Sequence, residues 1–137
     1  MRRLTVFLAA PAPVGPRSGN RCTALRFALR LRELGHRVRV AEAWDGSPCD
    51  ALFALHAGRS HPSIARHALE RASDPRFVVL TGTDLYRDIE DDAAARESLE
   101  LATRLVLLQP EGLRRLDGAL RGKTVVIRQS AIAPDAP

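Results

Sequence analysis

Aromatic side chains make up only 4% of this 137-residue chain, cysteine occurs twice, lysine once, and no apolar run approaches the length of a membrane span. Two cysteines, Cys22 and Cys49, outside any C-x-x-C spacing, support neither a disulfide framework nor a zinc site. Both read as free thiols, Cys22 as a small packed one. Without a spanning segment, or a long apolar stretch followed by a cleavage site at the N-terminus, the expected location is the cytoplasm and no membrane partner is expected. The formal charge of +5 comes almost wholly from arginine. A nucleic-acid-binding surface would gather its basic residues on one face and interleave aromatics, and here Arg26, Arg30, Arg37 and Arg39 fall around the first helix and second strand with no aromatic stripe. No nucleic-acid partner is expected. The length suffices for one compact domain and is too short for two α/β domains.

What is present is a regular alternation of short β-rich runs with helical stretches, the pattern of a parallel sheet covered by helices. Strands are expected at residues 4–9, 38–41, 51–56, 77–80, 105–108 and 124–127. The first helix, residues 23–34, carries Ala24, Phe27, Ala28, Leu31 and Leu34 as one apolar stripe, and Gly35 stops it. A second helix opens at Ser60 and Pro62, packs through Ile64, Ala65, Ala68, Leu69 and Ala72, and ends before Asp74-Pro75. The acidic stretch 88–96 reads as a solvated turn leading into a helix around 98–102, and Pro110-Glu111 starts a short helix.

Parallel α/β proteins bind ligands beyond the carboxyl ends of their strands, where helix N-termini present free N–H groups and a positive dipole. The segment Ser18-Gly19-Asn20-Arg21-Cys22-Thr23, a small-residue turn between the first strand and first helix, fits an anionic ligand. Gly19 permits close backbone approach, Asn20 can cap or bind, and Arg21 adds a fixed charge. The other strand ends contribute His56 and Arg59, Thr81 to Asp84, Gln109, and Gln129 with Ser130. Together they predict a polar, phosphate-friendly cleft. Asp84 can serve as a base, a hydroxyl ligand or a turn cap. No G-x-G-x-x-G occurs, and Gly15 to Gly19 is not followed by the Lys-Ser/Thr of a P-loop, which argues against a dehydrogenase or an NTPase. His56, His61 and His67 lack the i, i+4 spacing of a helical zinc site, so no metal is expected.

Gly19-Asn20-Arg21-x-Thr23-Ala24-Leu25-Arg26, Leu55-His56-Ala57-x-Arg59-Ser60, Leu80-Thr81-Gly82-Thr83-Asp84-Leu85-Tyr86, Leu108-Gln109-Pro110-Glu111 and Arg128-Gln129-Ser130-Ala131 share order and spacing with one family. Over essentially all 137 residues the chain resembles the N-terminal half of the selenosugar synthases, glycosyltransferases of selenoneine biosynthesis. It departs from their pattern at Gly58, where a second basic residue is expected, and at Arg128, where an aromatic is commoner.

The resemblance implies a Rossmann-like, doubly wound parallel sheet forming one half of a GT-B enzyme of the family 4 type. Residues 1–132 would be the acceptor-side domain and 133–137 the linker toward a C-terminal nucleotide-sugar domain. The implied substrates are selenophosphate and a UDP-sugar, UDP-glucose or UDP-N-acetylglucosamine, with no separate cofactor. Gly19, Asn20, Arg21, Thr23, Arg59, Thr83, Gln129 and Ser130 would bind substrate, Arg21 and Arg59 taking the phosphoryl oxygens. Asp84 and His56 would orient sugar or acceptor, because the selenium is already anionic and needs no base. A hydroxyl-acceptor transferase, in which one of those two must act as base, is the nearest rival. A module that binds a phosphorylated small molecule without chemistry is the reading from another class.

Overall fold

The computed structural model describes residues 2–11, 19–82 and 91–128, the side chains of 19–21 aside. Six strands form one sheet: β1 (Thr5–Ala9), β2 (Arg37–Ala41), β3 (Ala51–Leu55), β4 (Arg76–Leu80), β5 (Arg104–Leu107) and β6 (Thr124–Val126). All pair in parallel, in the spatial order β2-β1-β3-β4-β5-β6. The helices are α1 (Gly19–Glu33), α2 (His61–Glu70), α3 (Ala93–Leu101), a 3-10 segment over Pro110–Arg115 and the single-turn α4 (Gly118–Arg121). This is a doubly wound α/β fold of Rossmann-like type.

Right-handed crossovers place a helix on opposite faces of the sheet according to the direction in which the chain moves along it. From β1 the chain moves outward through α1 to β2; from β3 it moves the other way through α2 and α3. Two apolar layers follow, split by the alternation of side chains along each strand. Leu8, Leu55, Val79 and Val106 face α1 and meet Ala24 and Ala28. Phe7, Ala9, Leu52, Ala54, Val78, Leu80, Leu105 and Leu107 face the other way, against Ile64 of α2 and Ala95 and Leu99 of α3. On the α1 side Phe53 stacks on Phe77 with centroids 4.6 Å apart, and Phe27 of α1 leans on Phe53 at 6.2 Å. At the β2 edge, exposed Arg39 lies over the Phe7 ring at 5.4 Å and pairs with Asp45 at 2.7 Å. Charged side chains on an edge strand discourage pairing with another chain.

Several helix boundaries and faces differ from the sequence expectation. α1 already includes Gly19 to Cys22, so these residues form its first turn and no separate loop. Its buried stripe is Ala24 and Ala28, while Leu34 lies beyond the helix end and is exposed. α2 stops at Glu70 and buries Ser63, Ile64 and His67, leaving Leu69 85% exposed. The face was hidden because two of its three members are polar: Ser63 Oγ accepts the Trp44 N–H, and His67 meets Arg76. α3 begins at Ala93, well before Ser98, since Asp92 caps it by accepting the Ala94 N–H at 2.9 Å and Ala95 is needed in the core. Its carbonyls at the other end are met by Lys123, whose Nζ donates to Glu100 O and Ala102 O. Cys22 is exposed on α1 and is not a packed thiol; Cys49 is half-buried. The closing stretch 133–137 lies outside the described residues.

Candidate functional site

β1 and β3 are neighbours in the sheet, with Val6 to Ala9 registered on Ala51 to Ala54, but the chain leaves them in opposite directions. Their carboxyl ends therefore flank the topological switch point, the crevice where ligands of open α/β sheets bind. Beyond β1 the first turn of α1 brings the backbone of Gly19, Asn20 and Arg21. Thr23, one turn in, is buried. Beyond β3 stand His56 and Arg59. The sheet order thus places the segments of Gly19–Arg21 and His56–Arg59 after adjacent strands, on the side of the sheet where those strands end.

His56 is the one non-glycine residue with positive φ among those described, at 74°. The left-handed region costs an L-residue about 1 kcal/mol or more, and such outliers persist where the surroundings over-determine them. Here the surroundings do so. The His56 N–H donates to Val79 O at 2.9 Å, its carbonyl accepts from Ser60 N–H at 3.0 Å, and its Nδ1 accepts from Arg59 N–H at 3.1 Å. Ser60 Oγ donates to Leu55 O at 2.5 Å, and Ser98 Oγ of α3 donates to Ala57 O at 2.6 Å. Because Nδ1 accepts, the neutral ring carries its proton on Nε2, which fixes one tautomer. The ring is 4% exposed, whereas the Arg59 side chain stands in solvent.

Gly58 has no positive φ, so its missing Cβ is a matter of space. A Cβ there would lie 3.0 Å from Asp92 Oδ2 and 3.5 Å from His56 Cε1. Glycine lets the α3 cap come down beside the histidine, and Asp92 becomes a carboxylate of the same edge. Sequence reasoning missed this and placed Asp92 in a solvated charge run. The signal that could have found it is an acid directly before Ala93-Ala94-Ala95, an N-cap position. Next to it His61 Nε2, at the start of α2, meets Glu97 Oε1 at 2.5 Å.

From β4 the edge receives Thr81 and Gly82, whose φ of 138° only glycine adopts readily. From β5 it receives Gln109, extended and exposed, before Pro110 opens the 3-10 segment. Thr83 and Asp84 beyond β4, and Gln129 and Ser130 beyond β6, lie outside the described residues. Among the described residues no three His, Cys, Asp or Glu side chains gather in a way that could hold a metal ion, and no helix is long and apolar enough to cross a membrane.

The edge therefore joins an α1 N-terminus, an exposed arginine, a tautomer-fixed histidine and a carboxylate. That set can hold an anion by N–H groups and Arg59. Compared with known proteins, the sequence matches no family model and no curated protein.

Proposed function

We propose that this chain is the acceptor-side half of a GT-B glycosyltransferase that transfers a sugar from a UDP-sugar to selenophosphate. The observation that carries the reading is the juxtaposition, at the switch point of the sheet, of the α1 N-terminus with the His56-Ala57-Gly58-Arg59-Ser60 turn. Both segments belong to the motifs on which the resemblance to selenosugar synthases rests. The dianionic phosphoryl group would sit against the first-turn N–H groups of α1, with Arg21 and Arg59 as its cations. Selenium then attacks the anomeric carbon. The C–Se bond forms as the C–O bond to UDP breaks, the electron pair leaving on the diphosphate. No proton need be removed, so His56 and Asp84 act by orienting the acceptor. On this reading a nucleotide-binding domain completes the site and stabilises the departing UDP. On the same reading, residues 1–132 without such a domain would lack the proximity term and turn nothing over.

A second reading is favoured by Asp92. A carboxylate at the Gly58 turn, which also carries His56, suits a hydroxyl acceptor, from which the carboxylate would take the proton. One experiment separates the two: the full reading frame is incubated with a UDP-sugar and either selenophosphate or an alcohol acceptor, and products are read by mass spectrometry. A selenium-bearing sugar is expected, and Arg21→Ala and Arg59→Ala should each raise the apparent KM for selenophosphate. Glycosylated alcohol without selenium product overturns the first reading in favour of the second, and neither product overturns both.

A further inference from the structure

A second cluster of polar groups lies on the far side of the sheet from α1, toward the amino ends of the strands, and takes no part in the edge just described. His67, on the inner face of α2, is fully buried. Its Nδ1 stands 3.1 Å from Arg76 Nη1. A guanidinium can only donate, so Nδ1 accepts and the ring proton sits on Nε2. That Nε2 is buried with no hydrogen-bond partner. The His67 ring packs edge to face with the indole of Trp44, ring centroids 4.9 Å apart. Arg66 also lies over the indole, its guanidinium carbon 5.1 Å from the ring centroid and its Nη1 donating to Trp44 O.

Trp44 belongs to the segment that crosses from the end of β2 to the start of β3, the one long crossover without a helix among the described residues. Apart from the indole its ties to α2 are few. The Trp44 N–H donates to Ser63 Oγ at 3.0 Å, and the indole N–H is used within the crossover, on Ser47 O. Arg76 is itself nearly buried. Its donors go to Leu101 O, Arg71 O and His67, and among the described residues no carboxylate is in ion-pair contact with it. Among the described residues the charged and titratable groups that face His67 are thus Arg76 from β4, Arg71 and Asp74 from the turn after α2, and Arg66 over the indole, with half-buried Cys49 further along the crossover.

We propose that His67 is an acid-sensitive latch: once protonated, it expels Trp44 and frees the β2–β3 crossover from α2 while the sheet stays folded. Protonation of Nδ1 turns the one bond between His67 and Arg76 into two donors face to face, both cationic, in a site with no counter-charge closer than Asp74. The imidazolium is driven toward water, and the way out passes through the indole. Burial, with Arg76 second, already holds the ring neutral at physiological pH, pushing its pKa down to about 4. The latch bears on the functional edge because α2 begins at His61, directly after the turn that carries His56 and Arg59.

Hydrogen exchange on the native chain, corrected for intrinsic rates, tests this. Between about pH 7 and pH 4.5 the amides of residues 42–50 should lose protection by more than about tenfold while those of β1, β3 and β4 lose clearly less. Trp44 is the only tryptophan, so its emission should move to the red over the same range. In His67→Gln, which keeps an acceptor for Arg76 and cannot be charged, neither change should occur. An equal loss of protection throughout the sheet, unchanged protection of residues 42–50, or the same red shift in His67→Gln would each overturn the proposal. Should that variant not fold, the exchange pattern of the native chain decides alone.

Discussion

Ser98→Ala removes one oxygen and tests how the His56 turn is held. Ser98 is completely buried on α3, and its hydroxyl donates at 2.6 Å to the carbonyl of Ala57, the residue after the strained His56. Alanine is the better helix former by about 0.5 kcal/mol, which favours the variant. Against this stands the loss of one buried hydrogen bond, in which the Ala57 carbonyl gives up this donor, at about 1–3 kcal/mol. The balance is a destabilisation of about 0.5–2.5 kcal/mol. For a domain of this size that lowers Tm by roughly 2–10 °C. Urea unfolding followed by Trp44 emission should give a lower midpoint with an unchanged slope. Glu100→Ala, on the exposed side of the same helix, serves as control and should stay within about 0.5 kcal/mol of wild type. A Ser98→Ala protein as stable as wild type would mean that α3 does not tether the turn, and the over-determined geometry of His56 would need another cause.

Other outcomes follow from single contacts. Leu105→Ala empties a fully buried position on β5 between β4 and β6 and should cost about 2–5 kcal/mol in the same urea assay. Asp92→Ala takes the cap from α3 and should cost about 1 kcal/mol, read as a lower Tm, whereas Asp92→Ser, which keeps a capping oxygen, should restore most of it. His67 has its pKa pushed from 6.5 to about 4 in the folded chain, so the unfolded chain binds the extra proton between those values. Stability is therefore full above the unfolded value and falls as pH drops toward 4, by up to about 2 kcal/mol at pH 5 and about 3 kcal/mol at pH 4 while the ring stays in its site, and by less once the crossover releases it. His67→Gln should lose that component; equal pH slopes for the two proteins in urea titrations would refute it.

The six strands were legible because each is a short apolar run bounded by turn chemistry, and hydrophobic periodicity is a local property. The strand ends were legible for the same reason, which is how His56, Arg59 and Gln109 could be assigned to one edge before any pairing was known. The adjacency of β1 and β3 was not legible. It depends on the chain reversing direction across the sheet, and no residue pattern within a strand encodes its neighbour. Nor were the faces of α2 and α3, because Ser63, His67 and Ser98 are buried through partners 9 to 41 residues away in sequence, namely Trp44, Arg76 and Ala57. A polar residue reads as solvated until its distant partner is in place, and an acid such as Asp92 reads as surface charge until Gly58 shows the space made for it. Composition and periodicity by themselves determined an α/β sheet with its polar groups at one edge. Tertiary structure alone decided which groups meet there, since the hydrogen bonds that fix the tautomer and strained backbone of His56 come from β4, the turn of Arg59 and, through Ala57, α3.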